Sequence, residues 1–380
     1  MRVPLLAVRQ VVLTLLLVLA GAAARVMPAS AAGQDPAPTA SFAVSGDLTG
    51  VAAVSASNAW AVGDTGSGGT LIAHWDGTAW KRVPSPSPAG STLFRVAATS
   101  ARNAWAVGCS GCRGTGVPEP LILQWNGTVW KRVANPGPAG SNLSGVAATS
   151  ATNAWAVGAT SKGKTLIERW NGTAWKQVPS PSPGTSASLA GVAVTSAGNA
   201  WAVGSTISGP DEKTLIERWN GTVWKQVASP SPGVSRGLGA DLGTVAVTAA
   251  GHAWAAGEIS CGCGPGFSLT EWWNGTVWKK VPSPSPGGGT NLATVAVVSD
   301  HAAWAVGESG SGDGPTKTVA LRWNGTAWKQ VSTPSPGASA SLAAIAVTSS
   351  GNAWAVGATS TVNHGRSTTL ILRWNGTAWK

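Results

Sequence analysis

A seven-bladed β-propeller, all-β with four antiparallel strands in each blade, is the fold this sequence predicts, and three observations predict it. The phrase AWAVG or a close variant recurs with its tryptophan at positions 60, 105, 155, 201, 254, 304 and 354, spacings of 45 to 53 residues. A second phrase, W-[ND]-G-T-x-W, begins at Trp75, Trp125, Trp170, Trp219, Trp273, Trp323 and Trp374. Each unit holds four short runs of strand type, and no run has the length or period of a helix. That period with four strands per unit is the signature of propeller blades. An open solenoid is the competing architecture.

The first segment lies outside the fold. Arg2 and Arg9 flank a short basic region, an apolar run follows from Val11 to about Ala24, and Ala29-Ser30-Ala31 fits a signal-peptidase site. Residues 1–31 therefore read as a signal peptide. Residues 32–46 read as a linker and candidate ring-closing segment, and residues 47–380 as the propeller. The expectation is an exported, extracellular protein with no membrane span in its mature form. The signal carries Arg2, Arg9 and Arg25 and no acid, so cleavage would lower the formal net charge from +11 to +8.

Glycine (50) and proline (24) are abundant enough to suggest disorder, but 22 tryptophans argue for a packed chain. The basic balance points towards polyanions. The dense Lys/Arg patch of a specific nucleic-acid binder is missing.

In the fourth unit the strand runs are GVAVTS, AWAVGS, TLIERW and TVWKQV. The first strand of each unit carries Val, Ala and Thr, and the later ones carry Trp. Blades are wedges, narrow at the axis and wide at the rim, so this order of sizes suits them. Adjacent blades pack face to face, which removes a clean polar/apolar alternation.

WNGTxW joins the third and fourth strands. Asn-Gly between strands predicts a two-residue type I′ turn. Such a turn would set Trp75 and Trp80 diagonally adjacent on one face. The first unit has Asp76-Gly77, which turns equally well but accepts no glycan, so turn formation rather than N-glycosylation explains the repeat. The Ser-Pro runs between units read as stiff connectors that stop the outer strand. A lysine follows the last hairpin tryptophan in every unit, from Lys81 to Lys380. It reads as protection of edge strands, with capture of an anionic cell-surface polymer as the other reading.

Two connections per unit are short and two are long and varied. Up-and-down strand order puts both long ones on the same face. Diverse loops on a rigid scaffold are where binding usually sits, and tolerated surface insertion is the other reading. Candidate ligand contacts are the places where the repeat breaks. These are Phe94 and Arg95 near the channel mouth, Trp272 in place of the usual Arg, His or Gln, and Arg113, Arg236, Asp241, His364 and Arg366 in or beside the loops.

Cys109/Cys112 and Cys261/Cys263 are disulfide candidates, each expected to staple its own loop. Neither pair has histidines at zinc spacing or a thioredoxin-like setting. Neither a metal nor a cofactor is expected. No G-x-S-x-G elbow is present. Glu168 and Glu217 recur as repeat positions rather than as a converging pair of the kind a glycosidase needs.

The repeats resemble those of secreted bacterial propellers grouped as BNR, kelch and tectonin-like, over nearly the whole chain after the signal. The BNR Asp-box, S-x-D-x-G-x-T-W, has a spacing that Asn171-Gly172-Thr173-Ala174-Trp175 does not share. Sialidases of that fold use a tyrosine nucleophile, and this chain has no tyrosine. The kelch Gly doublet and Tyr are absent, and Trp75-Asp76 is a lone WD40-like dipeptide. The tectonin pattern is nearest and implies a lectin. No site residues transfer from any of these families.

The chain stops at Trp379-Lys380, where other units run on as QVPSPSP, and Pro36-Ala37-Pro38 resembles that linker. The ring is therefore expected to close through N-terminal residues, with residues 41–45 as an added strand. A truncated seventh blade is the alternative. The functional expectation is a monomeric, non-enzymatic propeller that binds a glycan or an extracellular protein through its long-loop face. A carbohydrate-active hydrolase or lyase with a site at the channel mouth is one alternative, and a structural cell-surface module is another. Clustered carboxylates at that mouth would favour the enzyme, and exposed tryptophan pairs the lectin.

Overall fold

The computed structural model describes residues 42–114, 116–233, 237–260, 266–310, 314–361 and 367–380. It is a β-propeller of seven blades, with one 3₁₀ turn at Pro286–Gly288 among the described residues. The first six blades are four-stranded meanders in simple chain order. The seventh has three strands, and a Trp374–Trp379 bridge with reciprocal backbone bonds between Arg373 and Lys380 starts its fourth. No helix among the described residues is long and apolar enough to cross a membrane.

The innermost strands are Asp47–Ser55, Thr92–Ser100, Asn142–Ser150, Ser186–Ser196, Gly239–Val247, Thr290–Ser299 and Ser339–Ser349. Each touches the next, and the last touches the first, so they encircle an axis. Every one carries a bulge after its leucine, such as Leu48/Gly50 and Leu93/Arg95. A bulge adds twist and bends the strand, which suits a curved inner wall. It also brings the partner strand close. A Cβ on Gly63 would strike the Asp47 carbonyl, and the same holds at Gly108, Gly158, Gly204, Gly257, Gly307 and Gly357. The invariant glycine of AWAVG is a steric requirement of that bulge.

The tryptophans lock the blades together. Trp60 of blade 1, 1% exposed, meets Trp125 at 4.9 Å and Trp130 edge-on at 5.1 Å, both from blade 2. The same triad repeats as Trp105/Trp170/Trp175, Trp155/Trp219/Trp224, Trp201/Trp273/Trp278, Trp254/Trp323/Trp328 and Trp304/Trp374/Trp379. Trp354 completes the circle on Trp75 and Trp80. Tilted and edge-on ring pairs add attraction beyond area burial. Six third-strand indoles also anchor a turn, as when Trp75 Nε1 donates to Ala56 O at 3.1 Å.

The hairpin between third and fourth strands differs from the expected two-residue type I′ turn. Trp170 and Trp175 are direct cross-strand partners, with four residues between them. Asn171 N donates to Ala174 O at 3.3 Å, so Gly172 (φ 99°) and Thr173 occupy the centre. Asn171 contributes its side chain: Oδ1 accepts from Thr173 N, Thr173 Oγ1 and Ala174 N at 2.9–3.0 Å. Asp76 does the same in blade 1. Every residue of Asn-Gly-Thr thus has a task within the turn.

The Ser-Pro connectors run beside the start of the third strand. Thr214 Oγ1 pairs with Ser229 Oγ at 2.7 Å and Ser231 Oγ at 2.9 Å, and donates to Pro230 O at 2.6 Å. Thr70, Thr165, Ser268 and Thr318 form matching networks. Proline has no N–H for the ladder, and hydroxyls hold the segment instead. At the seam, residues 42–46 fill this place beside blade 7. Ser45 bridges Thr368, Thr369 N donates to Val44 O at 2.9 Å, and Thr369 Oγ1 donates to Phe42 O at 2.8 Å.

Candidate functional site

The two faces of the ring differ in kind. The short-loop face carries the seven hairpins and the tryptophan triads. Trp272 lies on that side, stacked at 4.8 Å on Trp254 and 5.2 Å from His252. In this tier five of the other six blades place Arg169, Arg218, Arg322, Arg373 or His74 over the corresponding indole, and blade 2 has Gln124. Trp272 is thus a stacking residue, away from the long loops. No tryptophan among the described residues is an exposed platform.

The long-loop face holds the departures from the repeat. At blades 1 and 2 the loop is closed by the Cys109–Cys112 disulfide. Beside it Arg113 Nη2 lies 2.8 Å from Asp64 Oδ2, with Asp47 at 4.0 Å. Asp64 is 1% exposed and also accepts from Thr92 Oγ1 and Gly66 N. Arg113 therefore pairs its charge across the joint, with strand-end carboxylates of blade 1. Phe94 and Arg95 sit one level down, on the inner strand. Arg236, His364, Arg366, Cys261 and Cys263 lie outside the described residues.

Carboxylates gather at blades 4 to 6. Asp241, at the top of the inner strand, is the direct cross-strand partner of Glu258. Burial, with Glu258 and Glu212 adding repulsion, pushes the Asp241 carboxyl up to about 7. Burial also raises Glu258, and Glu212 and Glu308 add to it. Burial and mutual repulsion thus raise both neighbouring carboxyls, which favours holding a proton between them. No group of three or more His, Cys, Asp or Glu among the described residues is arranged to hold a metal.

Further out, blade 5 has a groove of about 640 Å³ lined by Pro232, Leu238, Ile259, Phe267, Lys280 and Ser285, among others. Phe267 is 53% exposed, the one exposed ring among the described phenylalanines and tryptophans. Related grooves at blades 1 and 2 hold Arg82 and Arg132 at the position of Lys280. Sequence reasoning missed Phe267. The available signal was an aromatic opening a third strand in place of the polar residue found in most other units.

Sequence reasoning also missed the environment of the third-strand glutamates. Glu168, Glu217 and Glu271 are 0% exposed, and none of their carboxylate oxygens has a side-chain partner. Burial pushes Glu168 up to about 7, with Gly137 N–H opposing, and Glu217 and Glu271 up to about 8. They stand in three separate blades, so they form no joint site.

No protein-family model matches the sequence, and no curated protein matches it. Solved structures do resemble the fold. YCF48 bound to D1 peptide superposes with a TM-score of 0.53 at 15% identity, covering 87% of this chain and 95% of its own. An ulvan lyase of a polysaccharide lyase family, bound to a GlcA–Rha3S chain, gives 0.60 at 10% identity, covering 89% and 96%. The WD40 propeller domain of Doa1 gives 0.55 at 15% identity, covering 88% and 95%. At these identities the likeness is one of architecture, and what this chain shares with all three is the β-propeller fold.

Proposed function

We propose that this protein is an exported binding propeller that takes a glycan on its long-loop face, with the blade 5 groove as its main contact. The exposed ring of Phe267 carries this reading. Every tryptophan is committed to packing, yet this phenylalanine stands open in a groove beside a cation, Lys280, and serine hydroxyls. A flat apolar face flanked by a few polar groups suits a sugar ring, and Lys280 suits an acidic substituent on it. Peptide-bound and glycan-bound proteins of the same fold are consistent with a binding role. Export is supported by the basic and apolar character of residues 1–31 and by a disulfide that persists in oxidising compartments.

The test is a glycan array on the purified protein, with a peptide library in parallel. A glycan hit lost in Phe267→Ala and weakened in Lys280→Gln, with the melting temperature unchanged, supports the reading. Hits confined to peptides, or hits indifferent to both substitutions, refute it.

Asp241 opposite Glu258 favours a second reading, a carbohydrate-active enzyme at the channel mouth. A raised carboxyl paired with a second carboxylate is the equipment of acid–base glycoside cleavage. New reducing ends or unsaturated products from an acidic polysaccharide, abolished in Asp241→Asn, would establish it.

A further inference from the structure

Arg95 occupies a level of the axis where every other blade is small. Cross-strand register places it with Gly50, Gly145, Gly191, Thr244, Thr294 and Ala344, each opposite the Val or Ala of AWAVG. Neighbouring inner strands approach closely here. A Cβ on Gly50 would lie 2.9 Å from the Arg95 Cα, and one on Gly191 2.8 Å from the Thr244 Cα. A long cation has thus been placed in a tier that the other blades fill with glycine, alanine and threonine.

Its bonds account for only part of the guanidinium. Nη1 donates to Thr49 O at 2.6 Å and to Phe94 O at 3.0 Å. Nε–H and the Nη2 hydrogens donate to none of the described residues, and no carboxylate among them forms a salt bridge with it. Neither of those nitrogens is among the buried side-chain atoms sealed from solvent without a partner, so both face space that water can enter. Burial lowers the Arg95 pKa to about 10, so it is charged at neutral pH. Arg95 is part-buried, and no acidic side chain among the described residues stands against its charge. The carbonyls of Thr49 and Phe94 orient the guanidinium without neutralising it.

The free Nε–Nη2 edge presents two parallel donors, the fork that matches the two oxygens of a carboxylate. We infer that Arg95 is the anion-binding centre of the axial channel and takes one small carboxylate on that edge. The site is independent of the blade 5 groove, which lies on the outer part of the same face and uses none of these atoms. Asp241 and Glu258 at the channel mouth bias entry towards small monoanions over highly charged ones.

The experiment uses sodium acetate against equal concentrations of sodium chloride, read by thermal unfolding and by calorimetric titration. Acetate is expected to raise the unfolding midpoint of the wild-type protein saturably. Arg95→Gly, which restores the residue of three other blades, is expected to abolish the rise. Arg95→Lys keeps the charge but loses the fork, and is expected to weaken acetate about tenfold or more. Acetate stabilisation that survives Arg95→Gly overturns the inference. So does an absence of saturable stabilisation in the wild type, or an equal response to acetate and chloride. An Arg95 that is only a structural plug would make Arg95→Gly less stable by the same amount in both salts, which also overturns it.

Discussion

Trp354 of the last blade stacks at 4.8 Å on Trp75 of the first. The joint that closes the ring therefore has the same chemistry as the six internal ones. Deleting an indole from a closed ring opens a cavity between two blades. Trp354→Ala and Trp155→Ala are each expected to cost about 3–5 kcal/mol in urea unfolding. Equal losses are the expected result. A markedly smaller loss at Trp354 would mean that the seam is held mainly by residues 42–46.

The Asn-Gly-Thr turns depend on one side-chain oxygen accepting three donors. Asn171→Ala should cost about 1 kcal/mol, while Asn171→Asp should cost little, because Asp76 already works in blade 1. Thermal unfolding of the two variants side by side distinguishes this from a requirement for the amide nitrogen.

The buried glutamates predict stability that falls as pH rises. Their folded pKa values, about 7 for Glu168 and about 8 for Glu217 and Glu271, lie above the ordinary 4.5. The folded state therefore holds protons that the unfolded state has released. The stability is complete below about pH 4.5 and is lost progressively up to the folded pKa, on the order of 3–5 kcal/mol per group. Leu123, Leu321 and Leu372 occupy the same register position in other blades. Glu217→Leu is accordingly expected to raise the urea midpoint at pH 8.5 and to change it far less at pH 4.5. A wild-type midpoint that does not move between those two values would contradict this.

The hydroxyl networks beside the third strand give a further expectation. Thr214→Val removes three contacts to the Ser-Pro connector at once. A loss of about 1–3 kcal/mol follows, with faster proteolysis near residues 228–233 as the local signature.

Architecture was readable in the sequence because its signal is repetitive. Strand length, turn residues and the recurrence of two phrases fix blades and their number without any tertiary knowledge. The tryptophan triads were not readable in the same way. Alternation along a strand says which face Trp60 occupies, but not that its partners are Trp125 and Trp130 of the next blade. The hairpin was misread for a related reason. Asn-Gly supports a two-residue turn equally well on paper, and only the side-chain bonds of Asn171 show that Gly-Thr is central. Single departures are the hardest case. Phe267 looks like an ordinary strand residue until its neighbours leave it uncovered, and the burial of Glu168 or Glu217 is set by the facing blade. Arg95 did stand out, because six equivalent positions supplied the contrast.

In the tryptophan layer each joint is made from the second-strand indole of one blade and the hairpin pair of the next, and this layer is the same at all seven joints. A duplicated unit of about fifty residues would bring both halves of its own seams, and deletion of a unit would leave two compatible edges behind. Only the angle subtended at the centre would have to adjust, from one-seventh of a turn towards one-sixth or one-eighth. The lineage of this protein thus has a route to larger or smaller rings by unequal recombination alone, without inventing a new interface.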